Sequence, residues 1–254
     1  MTTPTQTTKP AGGTRPASTM MKTILIPLSI LTIACTQAFA ADVDNDQADR
    51  PAYKDGWKTG SDGSTSPSSL GKWVLGDNAK DPNIAIASSG GLGDGTADID
   101  TGGVAFKLHD PGKGYVDAFR FIDPMGLETG ETLSMDIAVN FRGGFKGIDA
   151  RDGNDAAVFN FNIGGDDYVV AKAATGNGSI GNTYDPHTFF TITFKQESDT
   201  KGTWTIVRGG GMTGTTTGKY SGRIRSLKFY NGGQDPGPEN ALYFNKFRVL
   251  PASK

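Results

Sequence analysis

Thr132-Leu133-Ser134-Met135-Asp136-Ile137-Ala138-Val139-Asn140-Phe141 is the stretch that decides how the rest of the chain is read. Leu133, Met135, Ile137, Val139 and Phe141 alternate with Ser134, Asp136, Ala138 and Asn140. Side chains of a strand point alternately to its two faces, so this period marks a strand with one buried face and one wet or lightly packed face. Asp155 to Ile163 repeats the pattern, with Phe159, Phe161 and Ile163 pointing one way and Val158, Asn160 and Asn162 the other. Two such strands in close succession, with Gly-rich chain between them, point to an all-β sandwich.

Further out, short apolar segments bounded by Gly, Asn, Asp or Pro predict strands at 72–75, 83–87, 104–109, 115–122, 168–173, 188–196, 203–208, 223–230 and 241–249. The 36 glycines fall mainly in the connections, as at Gly90-Gly91, Gly102-Gly103, Gly143-Gly144, Gly164-Gly165 and Gly232-Gly233. No window carries a capped apolar stripe of helical period. Short strands with turn chemistry and no helices predict an antiparallel jelly-roll or concanavalin A-like β-sandwich, a single domain over residues 51–250.

Ahead of that domain, residues 1–19 are polar and low in complexity and read as an upstream or disordered extension. Residues 20–40 read as a secretory signal: Lys22 gives the basic start, Ile24 to Ala34 the apolar run, and Ala38-Phe39-Ala40 the small residues before a cleavage ahead of Ala41. The apolar run is shorter than the roughly 20 residues a spanning helix needs. Thr32-Ile33-Ala34-Cys35 offers an alternative end, a lipid-modified Cys35. Residues 41–50 are acidic and apolar-poor and read as a tail or first loop.

With cleavage before Ala41 the chain keeps no cysteine, because Cys35 is the only one. Disulfides, a cysteine nucleophile and a thiolate zinc site are then excluded, and stability falls to the core and any bound ion. Of the 25 basic residues Lys9, Arg15 and Lys22 precede Ala41, whereas all 27 acidic residues follow Ala40, so the remaining chain has a net charge of −5. That sign disfavours nucleic acid and gives no pull toward an anionic membrane.

Three pieces resemble a known group: Ala52 to Gly60 (AYKDGWKTG), Asp98 to Phe106 (DIDTGGVAF) and Ala241 to Val249 (ALYFNKFRV). Together they are similar to bacterial secreted proteins with a jelly-roll or concanavalin A-like sandwich, found as surface-associated proteins or as accessory modules beside polysaccharide-degrading enzymes. The resemblance implies a secreted, extracellular or periplasmic protein whose partner is a polysaccharide or cell-surface glycan.

Catalysis would need particular side chains. Glycosidases place two carboxylates across the scissile bond. Here Glu131 and Asp136 are five apart, which puts them on opposite faces of a regular strand, and Glu128 and Glu131 flank a Thr-Gly turn. A lyase needs a Tyr or His base with a cation beside the sugar acid. Lys228 and Tyr230 share a strand face, and His109 and His187 each have an aspartate nearby, Asp110 and Asp185. A polysaccharide lyase or glycoside hydrolase is therefore the alternative to a non-catalytic glycan-binding or surface-structural protein. Sugar binding needs aromatic faces for stacking and amides or carboxylates for hydroxyls. The expected set is Trp57, Trp73, Asp136, Asn140, Asn160, Asn162 and Tyr230, with Trp57 at the rim. For a structural Ca²⁺, which takes six to eight oxygens, Asp94, Asp98 and Asp100 lie in a Gly-containing loop, with Asp42, Asp44 and Asp46 as a rival cluster.

Overall fold

The structure is a computed structural model that describes residues 43–65, 69–77, 83–90, 97–110, 114–122, 124–233 and 237–252. The extension, the signal segment with Cys35, and Asp42 and Asp94 lie outside these residues. No helix among the described residues is long and apolar enough to cross a membrane.

The strands are β1 (Asp44–Asp46), β2 (Leu70–Asp77), β3 (Asn83–Ala87), β4 (Ala105–His109), β5 (Tyr115–Ile122), β6 (Thr132–Val139), β7 (Phe145–Arg151), β8 (Ala157–Asn162), β9 (Val169–Ala171), β10 (Gly178–Ser179), β11 (Phe189–Ser198), β12 (Lys201–Gly209), β13 (Gly214–Ser221), β14 (Ser226–Gly232) and β15 (Leu242–Leu250). They form two antiparallel sheets, an all-β jelly-roll sandwich. The first sheet runs β13-β12-β11-β6-β15-β4-β3, and β1 also pairs with β15. The second runs β10-β9-β8-β7-β14-β5-β2.

Alternation explains the layering. Leu133, Met135 and Ile137 of β6 and Phe190, Ile192 and Phe194 of β11 face inward from the first sheet, against Phe159 and Phe161 of β8 and Leu227 and Phe229 of β14 from the second. Rings dominate the contact: Phe229 stacks on Phe244 at 3.9 Å and Phe159 meets Phe194 edge-on at 5.0 Å. Trp57, expected at a rim, is instead core. Its ring meets Trp73 at 5.0 Å and Phe106 at 4.9 Å, because the 51–60 turn folds over the layer between the sheets. Trp73 is likewise fully buried, so neither tryptophan offers a stacking face.

The acidic 41–50 segment is not a tail. Its Asp44–Asp46 stretch pairs with Phe247–Val249 of β15, and Asp46 is fully buried. Arg120, an inward-facing residue of β5, reaches across to Asp46 at 3.0 Å and over the Trp73 ring at 5.1 Å. Tyr53 donates to the same carboxylate at 2.5 Å, and Trp73 Nε1 donates to the Tyr53 hydroxyl at 3.0 Å. Burial still raises the Asp46 carboxyl above its ordinary value, with Arg120, Tyr53 and Trp73 opposing it. β1, β7, β10 and β13 were not predicted.

Candidate functional site

The outer face of the second sheet is where sequence-predicted residues and unpredicted ones meet. Leu227 and Phe229 point into the core, so Ser226, Lys228, Tyr230 and Gly232 of β14 face out. Register sets their neighbours. Tyr230 lies between Asp117 of β5 and Gly147 of β7, and Asn162 of β8 stands beyond Gly147. One row along, Lys228 lies between Phe119 and Asp149, with Asn160 beyond. At the other end, Gly232 separates Tyr115 from Phe145.

Glycines let rings lie over this face. A Cβ at Gly147 would come within 2.0 Å of the Phe161 carbonyl and 2.9 Å of the Tyr230 hydroxyl. A Cβ at Gly232 would come within 3.0 Å of the Phe145 ring. Without those carbons Tyr115 and Phe145 stack at 6.1 Å with their planes 29° apart, and Phe145 is 46% exposed. Phe119 and Phe121 form a second stacked pair at 6.4 Å. Beyond that pair a cleft of 470 Å³ is lined by Val74, Phe119, Phe121, Pro124 and Arg225 among others.

Polar groups fill the centre. The Asn160 amide donates to Asp149 and to the Tyr230 hydroxyl, both at 2.8 Å. Asp149 is ion-paired to Arg151 at 2.9 Å, and Asp117 to Lys228 at 3.1 Å. The Lys228 ammonium also sits 5.1 Å from the Tyr115 ring and 5.2 Å from the Phe119 ring. Burial alone would lower its pKa, but Tyr115 and Asp117 outweigh burial and raise it. Burial raises the Tyr230 phenol well above its ordinary value, with Asp149 adding to the effect, so the hydroxyl stays protonated across physiological pH. Arranged this way the face can stack on flat apolar surfaces and exchange hydrogen bonds with hydroxyls.

The expected binding set is divided by the topology. Asn160, Asn162 and Tyr230 are on this face. Tyr230 is only 9% exposed, and its hydroxyl accepts from Asn160. Asn162 is engaged locally, donating to the Gly164 carbonyl at 2.9 Å. Asp136 is on the outer face of the first sheet, where it accepts from Thr191 at 2.6 Å and pairs with Lys246 at 3.3 Å. Asn140 lies just past the end of β6, and its carbonyl accepts from Tyr184. One groove containing all four Asn and Asp side chains is therefore ruled out: β6 and β8 belong to different sheets. Tyr115, Phe119, Phe121 and Phe145 went unrecognised, although the alternation of Tyr115, Asp117, Phe119 and Phe121 was there to be read.

Neither histidine is on the face. His109 is buried, and burial followed by Lys107 lowers its pKa. His187 is exposed and pairs with Asp185 at 3.2 Å. Glu131 accepts from the Glu128 amide at 2.8 Å in a turn. In the loop expected to hold calcium, Asp100 accepts from Ser88 at 2.7 Å and from the Ser89 hydroxyl at 2.6 Å, while Asp98 accepts from the Asp100 amide at 2.9 Å. The described residues contain no group of three or more His, Cys, Asp or Glu able to hold a metal ion.

No protein-family model matches the sequence, and no curated protein is significantly similar to it. Solved structures match it at low identity. An alginate lyase of polysaccharide lyase family 7 is 15% identical with a TM-score of 0.36, over 70% of this chain and 91% of that one. A structure described under endo-acting O-glycanases, by which human gut microbiota initiate mucin breakdown, is 13% identical with a TM-score of 0.35, over 82% and 98%. The botulinum neurotoxin serotype D ligand-binding domain in complex with N-acetylneuraminic acid is 11% identical with a TM-score of 0.34, over 71% and 47%. This chain spans 44% of a further match, HCR/D-Sa-GBL1/C. These identities concern the fold alone.

Proposed function

We propose that the chain is an exported, non-catalytic glycan-binding protein that holds a polysaccharide on the outer face of its second sheet. The observation that carries this reading is the stacked pair Tyr115 and Phe145, lying over Gly232 beside the hydrogen-bonding cluster of Tyr230, Asn160, Asp149 and Lys228. Flat, partly exposed rings next to fixed donors and acceptors are what a pyranose requires. Ion pairing of Asp117 and Asp149 suits them to accept hydroxyl hydrogen bonds, and the raised Tyr230 phenol makes a poor base. Export rests on residues 20–40, and cleavage before Ala41 leaves β1 intact.

The test is a glycan array followed by calorimetry and a product assay on the same polysaccharides. Phe145→Ala and Tyr115→Ala should each weaken binding by about 1–2 kcal/mol, roughly tenfold. Absence of binding to every polysaccharide overturns the reading, and release of shortened or unsaturated products transfers the face to a hydrolase or lyase. N-terminal sequencing of the secreted protein tests export, and a lipid-modified Cys35 would make it membrane-anchored.

A further inference from the structure

Three loops of the described unit meet in a cleft of 380 Å³ lined by Phe141, Arg142, Gly143, Gly144, Gly165, Asp166 and Tyr184. Arg142 is its unusual member. Its guanidinium carbon lies 5.0 Å from the Tyr168 ring and 5.7 Å from the Tyr184 ring. A second cation, Arg208, lies 5.0 Å from the same Tyr168 ring. Arg208 donates to the Thr183 carbonyl at 2.7 Å and to the Thr188 hydroxyl at 2.9 Å. Arg142 differs: among the described residues its side chain has no hydrogen bond and no ion pair, and its Nη1 is buried without a partner. A guanidinium carries five N–H donors in a rigid fork, and leaving them unmet in a partly buried place is costly. The tyrosine rings satisfy none of its N–H groups as acceptors, and the unburied Nε and Nη2 are left to donate to a planar or tetrahedral oxyanion.

Geometry ties this cleft to the ring platform. Gly144, which lines the cleft, immediately precedes Phe145, and Arg142 is three residues from it, at most about 10–11 Å of extended chain. Cleft and ring platform therefore share the 141–145 segment, which lets one polymer reach both.

We propose that the cleft at Arg142 binds the oxyanion of an acidic sugar, a carboxylate or a sulfate ester, so that the glycan held on the neighbouring face is an acidic polysaccharide. This rests on the glycan-binding reading for the polymer but not for the anion. The charged groups around the site are Arg142, Arg208, Asp166 and Asp185, with Asp185 paired to His187. Net attraction for an anion comes from the unmatched Arg142 fork.

The experiment has two arms. In the first, the wild-type protein is titrated with inorganic sulfate and, separately, with sodium glucuronate, while NMR follows the Arg142 side-chain N–H and the Tyr168 and Tyr184 ring signals. A saturable shift at those signals with at least one anion is expected, and the anion that gives it identifies the source. No saturable shift with either overturns the proposal without any variant being needed. In the second arm, wild type, Arg142→Gln and Arg142→Lys are compared for binding to a neutral, a carboxylated and a sulfated polysaccharide at fixed ionic strength. Arg142→Gln should lose at least tenfold affinity for the acidic polymer alone, and Arg142→Lys should recover only part of it. Equal losses for neutral and acidic polymers would make Arg142 a merely structural residue and overturn the proposal. Anion shifts without any polysaccharide binding would leave the cleft standing and remove the glycan-binding reading; polysaccharide binding without them would do the reverse.

Discussion

The two outer faces of the sandwich obey the same alternation and carry different chemistry. On the first sheet, Ser134, Thr193, Thr205 and Thr217 stand side by side across β6, β11, β12 and β13. On the second, the corresponding breadth holds Tyr115, Phe145, Tyr230, Lys228, Asp149 and Asn160, with glycines beneath the rings. Short hydroxyl side chains, three of them β-branched threonines, suit a solvated stretch of sheet. Large rings lying along a sheet need empty Cβ positions beside them. A face that gives up side chains at Gly147 and Gly232 is shaped for contact with something flat.

Trp57→Ala gives the largest effect and tests whether any aromatic residue outside the second face takes part in binding. Removing a ring packed on Trp73, Phe106 and Phe244 should cost about 3–5 kcal/mol in urea unfolding. Affinity of the protein that remains folded should be unchanged. A loss of affinity with little loss of stability would move the site.

Gly147→Ala and Thr205→Ala set the two faces against each other. The first forces a Cβ onto the Phe161 carbonyl and should cost about 1–3 kcal/mol. It should also push Tyr230 off Asn160, which a chemical-shift change at both would report. The second should stay within about 0.5 kcal/mol. Equal costs would mean that the glycines are not what distinguishes the second face.

Proton linkage sharpens the comparison at the Phe145 end. Lys146, on the inner side of β7, donates to the Phe141 carbonyl at 2.8 Å and to the Asn240 carbonyl at 2.7 Å. Burial lowers its pKa to about 7, with Glu239 opposing. Below pH 7 the fold must carry the buried ammonium. Between pH 7 and about 10 the unfolded chain still binds that proton and the folded chain has released it. Stability should therefore rise with pH across this window, by at most about 1.4 kcal/mol per unit. Lys146→Met should flatten most of the rise in urea midpoints measured across this window, although Lys107, also lowered by burial, adds in the same direction and remains. Above the ordinary tyrosine value the sign reverses, because burial raises Tyr53, Tyr220 and Tyr230 and the unfolded chain ionises first. A rise unaffected by the variant would remove Lys146 as its source.

Asp100→Ala should shift stability by about 0.5–2 kcal/mol through the lost Ser88 and Ser89 hydrogen bonds. The shift should be equal with calcium and with chelator. A calcium-dependent difference would show that the 94–100 segment holds a cation.

Strands whose inner positions are mostly apolar were legible from the sequence: β5 and β3 fall at the predicted bounds, and β6 and β11 within two residues. β7 was hidden because Lys146 occupies an inward position and Phe145 an outward one, the inverse of the usual pattern. β13 was hidden because Gly214 to Gly218 carry no apolar side chain and the strand is the last of its sheet, paired with β12 and bridged at Lys219 to Thr175. β1 is three polar residues whose aspartates are buried through partners in other parts of the chain. The site was half legible for a related reason. Period two says that Asn160 and Asn162 share a face, and that Asp136 and Asn140 share one. Which sheet each strand joins is decided by pairing with β11, β14 and β15, tens of residues away.

The position of β15 has a consequence for how the fold is reached. Its strand lies inside the first sheet, between β6 on one side and β4 with β1 on the other. During synthesis the ribosome delivers that strand after the other fourteen, so until then β6 and β4 present open edges and the acidic β1 has no partner. Closure links Asp44 to Val249, a separation that makes the rate-limiting search long and favours folding on the millisecond-to-second scale or slower. The first sheet therefore cannot close before the last of its described strands has been made.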